Sequence, residues 1–184
     1  MSSRILVDEI APKTSGSKVL MPQGGIIQVQ YTQFTSTNTF DLDANTDTVI
    51  TDLTVDITPI STSSIIKIDA MVNGEWGNSN GATDSTWFFF RDTTKLSHAS
   101  AGSRNVGIFM GTSTTYDAPD GNSTPEHAYY SYFDSPSSTS QITYKVGVKQ
   151  RDGYVWYLNR TATDSDATNM ERGISFISVT EIAG

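Results

Sequence analysis

The sequence contains no cysteine, which excludes disulfide bonds, thiol chemistry and cysteine-ligated zinc. Its only two histidines, His98 and His127, lack the HxxxH-type spacing of a metal-binding motif, and a site built on them would need further ligands. No apolar run approaches the roughly 20 residues of a membrane-spanning helix, and no signal-peptide core follows the first residues. We therefore expect no metal site, no cofactor and no insertion into a membrane.

Positive charge is also scarce. The chain has 12 basic and 20 acidic residues and a net charge of -8. The basic residues are scattered, whereas a nucleic-acid-binding surface needs clustered lysine and arginine, so we expect no nucleic-acid partner. Serine and threonine make up roughly a quarter of the chain, while lysine and glutamate are sparse. Strand surfaces favour threonine and helix surfaces favour lysine and glutamate, so this composition favours β-structure.

The clearest pattern is a pair of half-buried strands. Apolar and polar residues alternate over residues 48–58, which predicts a strand with one buried and one solvated face. Pro59 cannot donate a hydrogen bond to a neighbouring strand and ends this one. A second alternating strand covers residues 66–72 and is expected to end at Asn73-Gly74. The residues expected in the core are Val49, Leu53, Val55, Ile66, Ile68 and Val146.

Further short strands follow at regular intervals between turn-rich connections. Asp152-Gly153 is a hairpin signal, and apolar residues alternate after it. No window of about 11 residues carries an uninterrupted helical stripe. The sequence therefore predicts a head domain over residues 26–184 with eight or more antiparallel strands, in an all-β sandwich of the jelly-roll kind.

Residues 1–25 differ from the rest of the chain. An apolar cluster is followed by proline and glycine, and the segment is too short to form a core of its own. One interpretation is a frayed terminus. The interpretation that we favour is an extended anchor that adds to another chain as a β-strand. The residues expected to make that contact are Ile5, Leu6, Val7 and Ile10.

Aromatic residues are the main candidates for ligand binding. Trp76 is surrounded by Gly74, Gly77 and Asn78, which predicts an indole exposed on a loop. An exposed indole can stack on a sugar ring, so Trp76, Asn78 and Asn80 form the candidate glycan contact. The alternative is that Trp76 packs against its own loop.

Two sets of acidic residues are weaker candidates. Asp41–Asp47, with Asp52, spaces oxygen ligands as a calcium loop does, but the glycine and the final glutamate of such loops are missing. An Asx-rich turn is the alternative. Glu75, Asp84 and Glu126 lie near strand ends, and glycoside hydrolysis needs two carboxylates on opposite sides of a sugar. Nothing in their spacing favours such a pair, so we expect no catalytic residue and no enzyme activity.

Three pieces of the chain carry a resemblance to a known family. The chain opens with R-I-L-V-D-E-I-A-P-K-T, contains D-I-T-P-I-S-T-S-S-I-I-K-I, and closes with I-S-V-T-E-I-A-G. Together with the stretch Phe88–Leu96, these pieces resemble fibre and appendage proteins of tailed bacteriophages, particularly marine ones. In that family a short N-terminal anchor precedes a compact β-head similar to the C1q/TNF-like jelly roll.

The resemblance implies a virion structural protein, usually trimeric, that attaches the particle to its host or projects from its surface. It implies that the N-terminal segment binds other virion proteins and that the head faces a host glycan or protein, but it transfers no binding residue. Tail fibre, head fibre and capsid decoration all stay open. A glycan depolymerase and a secreted carbohydrate-binding module are the other classes. Activity on polysaccharide would identify the first, and sugar binding by a stable monomer would identify the second.

The closing strand gives a separate argument for self-association. Ile174 and Phe176 lie on one parity, and Ile177 and Val179 lie on the other. A strand that is apolar on both faces is buried on both, so a neighbouring chain must cover the outer face unless a bulge changes the register. We expect part of residues 173–182, with Tyr or Phe side chains, to meet around a threefold axis.

Overall fold

The computed structural model describes residues 22–78, 80–111, 113–114 and 123–184. Within these residues the protein is all β without helix, and its antiparallel strands form a sandwich of the jelly-roll type, which confirms the predicted fold class. The strands of the described residues are β1 (Ile26–Phe34), β2 (Asn38–Asp41), β3 (Thr48–Ile57), β4 (Ile65–Trp76), β5 (Ser85–Arg91), β6 (Thr94–Leu96), β7 (Phe109–Met110), β8 (Ser113–Thr114), β9 (Glu126–Asp134), β10 (Ile142–Gln150), β11 (Val155–Leu158) and β12 (Ser175–Ile182).

Two sheets face each other. The first runs in the order β1-β12-β4-β11-β2, with β9 on the other edge of β4 and β8 beside β9. The second runs β3-β10-β5-β6, with β7 also paired to β5. Along one edge, β4 pairs with β12 up to Met71 and with β11 from Gly74, while β9 follows its other edge. This change of partner leaves a gap at the end of the first sheet.

The core lies between the inner faces of the sheets and contains five of the six residues predicted for it. Val49 is the exception, because it is only partly buried and Ile50 is buried instead. The register of β3 on β10 shifts between Thr54 and Ile50, and this bulge reverses the alternation that the sequence shows. The five confirmed residues are Leu53, Val55, Ile66, Ile68 and Val146.

The expectation that the fourth strand ends at Asn73-Gly74 is wrong, because β4 continues to Trp76. Gly74 is needed in the strand interior, since a Cβ there would lie 2.6 Å from the ring of Trp156. The pairing of Gly74 with Leu158 and of Trp76 with Trp156 keeps β4 in the sheet. The period of two therefore places Trp76 on the same inner face as Val72.

The expectation of a hairpin at Asp152-Gly153 is also wrong. This turn, in which Gly153 has a φ of 74°, carries the chain from β10 in the second sheet to β11 in the first. The Oε1 atom of Gln150 accepts hydrogen bonds from the N–H groups of Asp152 and Gly153, at 2.5 and 2.8 Å. Both edges of β10 are already paired, with β3 and with β5, so β11 finds its partners in the other sheet.

A partly buried charged contact joins the two sheets. Nη1 of Arg91 donates to both carboxylate oxygens of Asp134, at 2.9 and 3.0 Å, and the Tyr144 hydroxyl donates to the same carboxylate at 2.7 Å. Burial, together with the hydrogen bond to Asp134, raises the pKa of Tyr144 above its ordinary value. Because Asp134 lies on β9 and its partners lie on β5 and β10, this contact fixes one sheet over the other.

Candidate functional site

A polar cleft of about 340 Å³ lies where β4 exchanges β12 for β11. One wall is formed by the ends of β4 and β9, and the other by the connection that follows β11. Its polar lining includes the side chains of Asn73, Glu126, His127, Asn159, Glu171 and Arg172.

The second wall is held in place by Asn159, a buried residue just after β11. Its Nδ2 donates to the carbonyl oxygens of Phe34 and Ser36, at 2.8 Å each, and its Oδ1 accepts from the Ser175 hydroxyl at 2.6 Å. Its carbonyl accepts from the N–H of Gly173 at 3.0 Å. The φ of Asn159 is 61°, in the left-handed region that asparagine tolerates better than most residues. The cleft is therefore pre-formed by the fold.

Glu126 is the buried acid of the first wall. Its side chain is 6% exposed, and within the described residues its hydrogen-bond partner is the Trp76 N–H, which donates to Oε2 at 2.7 Å. Loss of solvent raises the pKa of Glu126 to about 8; the hydrogen bond from Trp76 lowers it, and the charge of Glu75 raises it further. The carboxyl is therefore mostly protonated at pH 7 and presents an O–H donor in the lining of the cleft.

Glu75 lies behind Glu126 and binds both walls. It is fully buried; its Oε1 accepts from the Thr124 hydroxyl and its Oε2 from the Ala162 N–H, both at 2.7 Å. The structure thus brings Glu75 and Glu126 together, while Asp84 pairs with Arg151 at 2.7 Å. Glu75 has no exposed surface, so it is not placed to contact a sugar as the second carboxylate of a glycosidase does.

The prediction that Trp76 is an exposed glycan contact is wrong. Its side chain is 1% exposed, and its ring packs edge-on against Trp156 with 4.9 Å between centroids. The loop after β4 folds back so that Gly81 lies directly on the indole, where a Cβ would clash. Asn78 and Asn80 are exposed on that loop, but the Trp76 ring is buried and does not form a surface with them. The alternative stated above, packing against its own loop, describes Trp76 correctly.

The segment Asp41–Asp47 forms a turn between β2 and β3. The carboxylate of Asp47 accepts from Lys95 Nζ at 2.8 Å, and the carboxylate of Asp52 accepts from Asn38 Nδ2 at 2.6 Å. In the part of the chain that the structure describes, no group of three or more His, Asp or Glu side chains is arranged to hold a metal ion.

The outer face of the first sheet carries large exposed side chains. Tyr31 on β1 is 71% exposed, and Tyr129 and Phe133 on β9 are 58% and 60% exposed. The centre is polar, with an ion pair of 2.8 Å between Lys67 and Asp69. The strand register aligns this outer face in three rows: Gln33, Phe176, Met71, Tyr129; then Tyr31, Ser178, Asp69, Ser131; then Val29, Thr180, Lys67, Phe133.

The closing strand β12 lies within this face and has apolar residues on both of its sides. Ile177 and Val179 are buried in the core, while Phe176 is half-buried on the outer face and Ile174 is exposed just before the strand. The pairing of β12 with β4 has no register shift, so no bulge removes the apolar residues from the outer face. The four strands β1, β12, β4 and β9 therefore present one continuous surface, which we call the aromatic face.

On the outer face of the second sheet, the chain covers one aromatic ring itself. Phe88 is fully buried there, beneath Lys95, whose Nζ lies 3.7 Å from the ring centroid. Phe88 and Phe90 both pack over Gly147, where a Cβ would lie 2.9 Å from the Phe90 ring. Lys95 and the missing side chain of Gly147 thus let the Phe88 ring be buried within one copy of the chain, while Phe90 stays partly buried. The two outer faces differ in this respect.

The proposed anchor residues Ile5, Leu6, Val7 and Ile10 lie outside the described residues, so the structure says nothing of them. The described chain joins the first sheet at Gly24, whose N–H donates to the carbonyl of Ala183 at 2.7 Å. The described chain therefore enters β1 beside the end of β12.

Reasoning from the sequence missed the cleft. It named Glu126 and His127 separately, and it placed Asn159 and residues 171–173 in no site. Their separation along the chain gives no motif, because the cleft depends on β4 changing partners between β12 and β11. The sequence gives one weak signal for the positive φ of Asn159, because asparagine is common at turns of this conformation.

No family model matches the chain, and no curated protein matches it. The described residues contain no helix that is long and apolar enough to cross a membrane.

Proposed function

We propose that this protein is a structural subunit of a bacteriophage virion, a short fibre or head-like appendage whose trimeric β-head attaches the particle to its host, without enzyme activity. The aromatic face is the observation that carries this proposal. The sequence resemblance supports the virion assignment, and the face supplies the self-association that the resemblance implies.

An exposed surface of this composition favours a protein partner. Tyr31, Tyr129 and Phe133 stand on a regular sheet rather than on loops, and single chains rarely leave large apolar patches in water. Burying such side chains contributes about 25 cal/mol per Å² of apolar surface. In the second sheet Lys95 covers the Phe88 ring, whereas Tyr31, Tyr129 and Phe133 on the aromatic face stay exposed.

The arrangement of the aromatic face suits a cyclic assembly of identical chains. Val29 and Tyr31 lie on β1, while Tyr129 and Phe133 lie on β9, three strand positions away or about 14 Å. Two apolar patches on opposite sides of a polar centre allow the β1 side of one copy to meet the β9 side of the next. Such a head-to-tail contact forms a ring when the rotation between neighbouring copies closes, and the family resemblance implies a ring of three copies.

We expect the intact protein to have the mass of a trimer, three times 20.0 kDa, in light scattering at micromolar concentration. Replacing Phe133 by glutamate should give the monomer, because the new carboxylate would lose its hydration at the interface. The circular dichroism spectrum should stay that of a β-protein, since Phe133 is exposed within one copy.

Thr51→Glu is the matched control, because Thr51 is exposed on β3 in the other sheet and should leave the trimer intact. A wild-type mass of 20.0 kDa would show that the protein is a monomer and that the aromatic face is not an interface between copies. A trimer that survives Phe133→Glu would place the interface elsewhere.

The anchor is tested by deleting residues 2–21 and keeping Gly24, which hydrogen-bonds to the sheet. We expect this variant to form the same oligomer but to be absent from purified particles, because the apolar anchor would be missing. Incorporation at the wild-type level would show that the anchor assignment is wrong. If particles without the protein adsorb to host cells normally, the chain is a capsid decoration and not an attachment protein.

A further inference from the structure

We propose that the cleft between the ends of β4 and β9 and the connection after β11 binds a neutral saccharide of one or two residues. The inference rests on the proposed function, since it names the host-surface ligand of the attachment head. The sequence placed the glycan contact at Trp76, at the end of β4. The cleft, which is also at the end of β4, takes its place as the proposed sugar site.

The size and rigidity of the cleft support this assignment. A volume of about 340 Å³ lies at the small end of ligand sites and accommodates a sugar ring. Asn159, which is buried, holds one wall through hydrogen bonds to Phe34, Ser36 and Ser175. Glu75 connects the walls through Thr124 and Ala162. A pre-formed site loses little conformational entropy when it binds.

The polar groups of the cleft suit a ligand rich in hydroxyl groups. The buried Glu126 carboxyl has one oxygen bound by the Trp76 N–H, and its other oxygen has no hydrogen bond within the described residues. The imidazole of His127 is exposed beside it, and Glu171 faces the cleft from the opposite wall. Each sugar hydroxyl both donates and accepts, so it can satisfy a mixture of donors and acceptors of this kind.

Charge favours a neutral sugar over an acidic one. Arg172 forms an ion pair with Asp164 at 2.8 Å. The guanidinium of Arg160 donates to the carbonyl oxygens of Thr161 and Ala162 and lies over the Tyr157 ring. Both arginines of the lining are thus engaged with the protein, while Glu171 adds negative charge. A sugar carboxylate would meet Glu171 without a matching cation.

The test is saturation-transfer NMR on the full chain with the methyl glycosides of glucose, galactose, mannose and N-acetylglucosamine, and with methyl glucuronide. We expect transfer to at least one neutral glycoside and none to the glucuronide. His127→Ala should weaken that binding about tenfold, the effect of one lost hydrogen bond of ordinary strength, and His98→Ala should leave it unchanged because His98 lies outside the cleft.

Three outcomes would overturn the inference: no transfer to any neutral glycoside, stronger binding of the glucuronide, or equal effects of the two histidine substitutions. The mass of the same sample separates this inference from the proposed function. A trimer that binds no sugar contradicts the cleft alone, and a monomer that binds sugar through His127 contradicts the oligomer alone.

Discussion

Replacing Trp76 by alanine is expected to lower the free energy of unfolding by about 3 to 5 kcal/mol. The indole is 1% exposed and packs between the sheets against Trp156 and Trp87, with centroid distances of 4.9 and 6.3 Å. Removing it leaves a cavity that the surrounding rings cannot fill, because Trp87 and Trp156 also pack on each other at 5.3 Å. The loss should appear as a lower midpoint of urea unfolding at a fixed protein concentration.

Asn80→Ala is the matched control for this variant. Asn80 is exposed on the loop that follows β4, and its side chain makes no hydrogen bond within the described residues. Its substitution should change the free energy of unfolding by less than about 0.5 kcal/mol. If Trp76→Ala unfolds at the wild-type midpoint, Trp76 is not a core residue. Any weaker adsorption of that variant should follow its lower stability rather than a lost ligand contact.

Replacing Glu126 by glutamine is expected to stabilise the protein at neutral pH by up to about 3 kcal/mol and to leave its stability at pH 4.5 nearly unchanged. Glutamine has the shape of the protonated acid, and its carbonyl oxygen can still accept from the Trp76 N–H. Glutamine cannot ionise, however, so the substitution removes the contribution of Glu126 to the pH dependence of the free energy of unfolding.

The direction follows from the raised pKa of Glu126. Its pKa is about 8 in the folded protein against an ordinary value of 4.5, so the stabilisation by its protonated form is complete below pH 4.5. Between pH 4.5 and about 8 the unfolded chain releases a proton that the folded protein keeps, and stability falls as the pH rises. Above about pH 8 the folded protein also ionises, and the loss is complete.

The measurement is urea unfolding of both proteins from pH 4.5 to 8.5. Every other titrating group is the same in the two chains, so the difference between the curves isolates Glu126. That difference should grow with pH and become constant above about pH 8. The uncharged substitution Asn80→Ala should give a curve parallel to the wild type. A parallel curve for Glu126→Gln as well would show that its pKa is not raised.

Much of the fold follows from the sequence, because alternation of period two is a local property. Ile66 and Ile68 face the core as their parity predicts. Burial also alternates along β9, although its aromatic residues lie on both parities. The closing strand is apolar on both parities, and the structure keeps one of those faces at the surface of the single chain. The sequence thus predicts the apolar outer face of β12, while the exposure of Tyr31, Tyr129 and Phe133 beside it comes from the structure.

Other features depend on contacts between residues that are far apart in the chain. Gly74 resembles a turn residue in the sequence, but it is glycine because the ring of Trp156 occupies the place of its side chain. That packing extends β4 and buries Trp76. Asp152-Gly153 resembles a hairpin turn, but both edges of β10 are already occupied.

The sequence by itself determined the all-β class, five of the six core residues predicted from it and the apolar character of the closing strand, since each depends on residues one or two positions apart. Only the tertiary structure decided the burial of Trp76, the raised pKa of Glu126 and the cleft beside it. These depend on which strand ends meet, and β4 meets β9, β11 and β12 there from three distant parts of the chain. The burial of a side chain and the shift of its pKa depend on these long-range contacts, and the spacing of residues along the chain does not predict them.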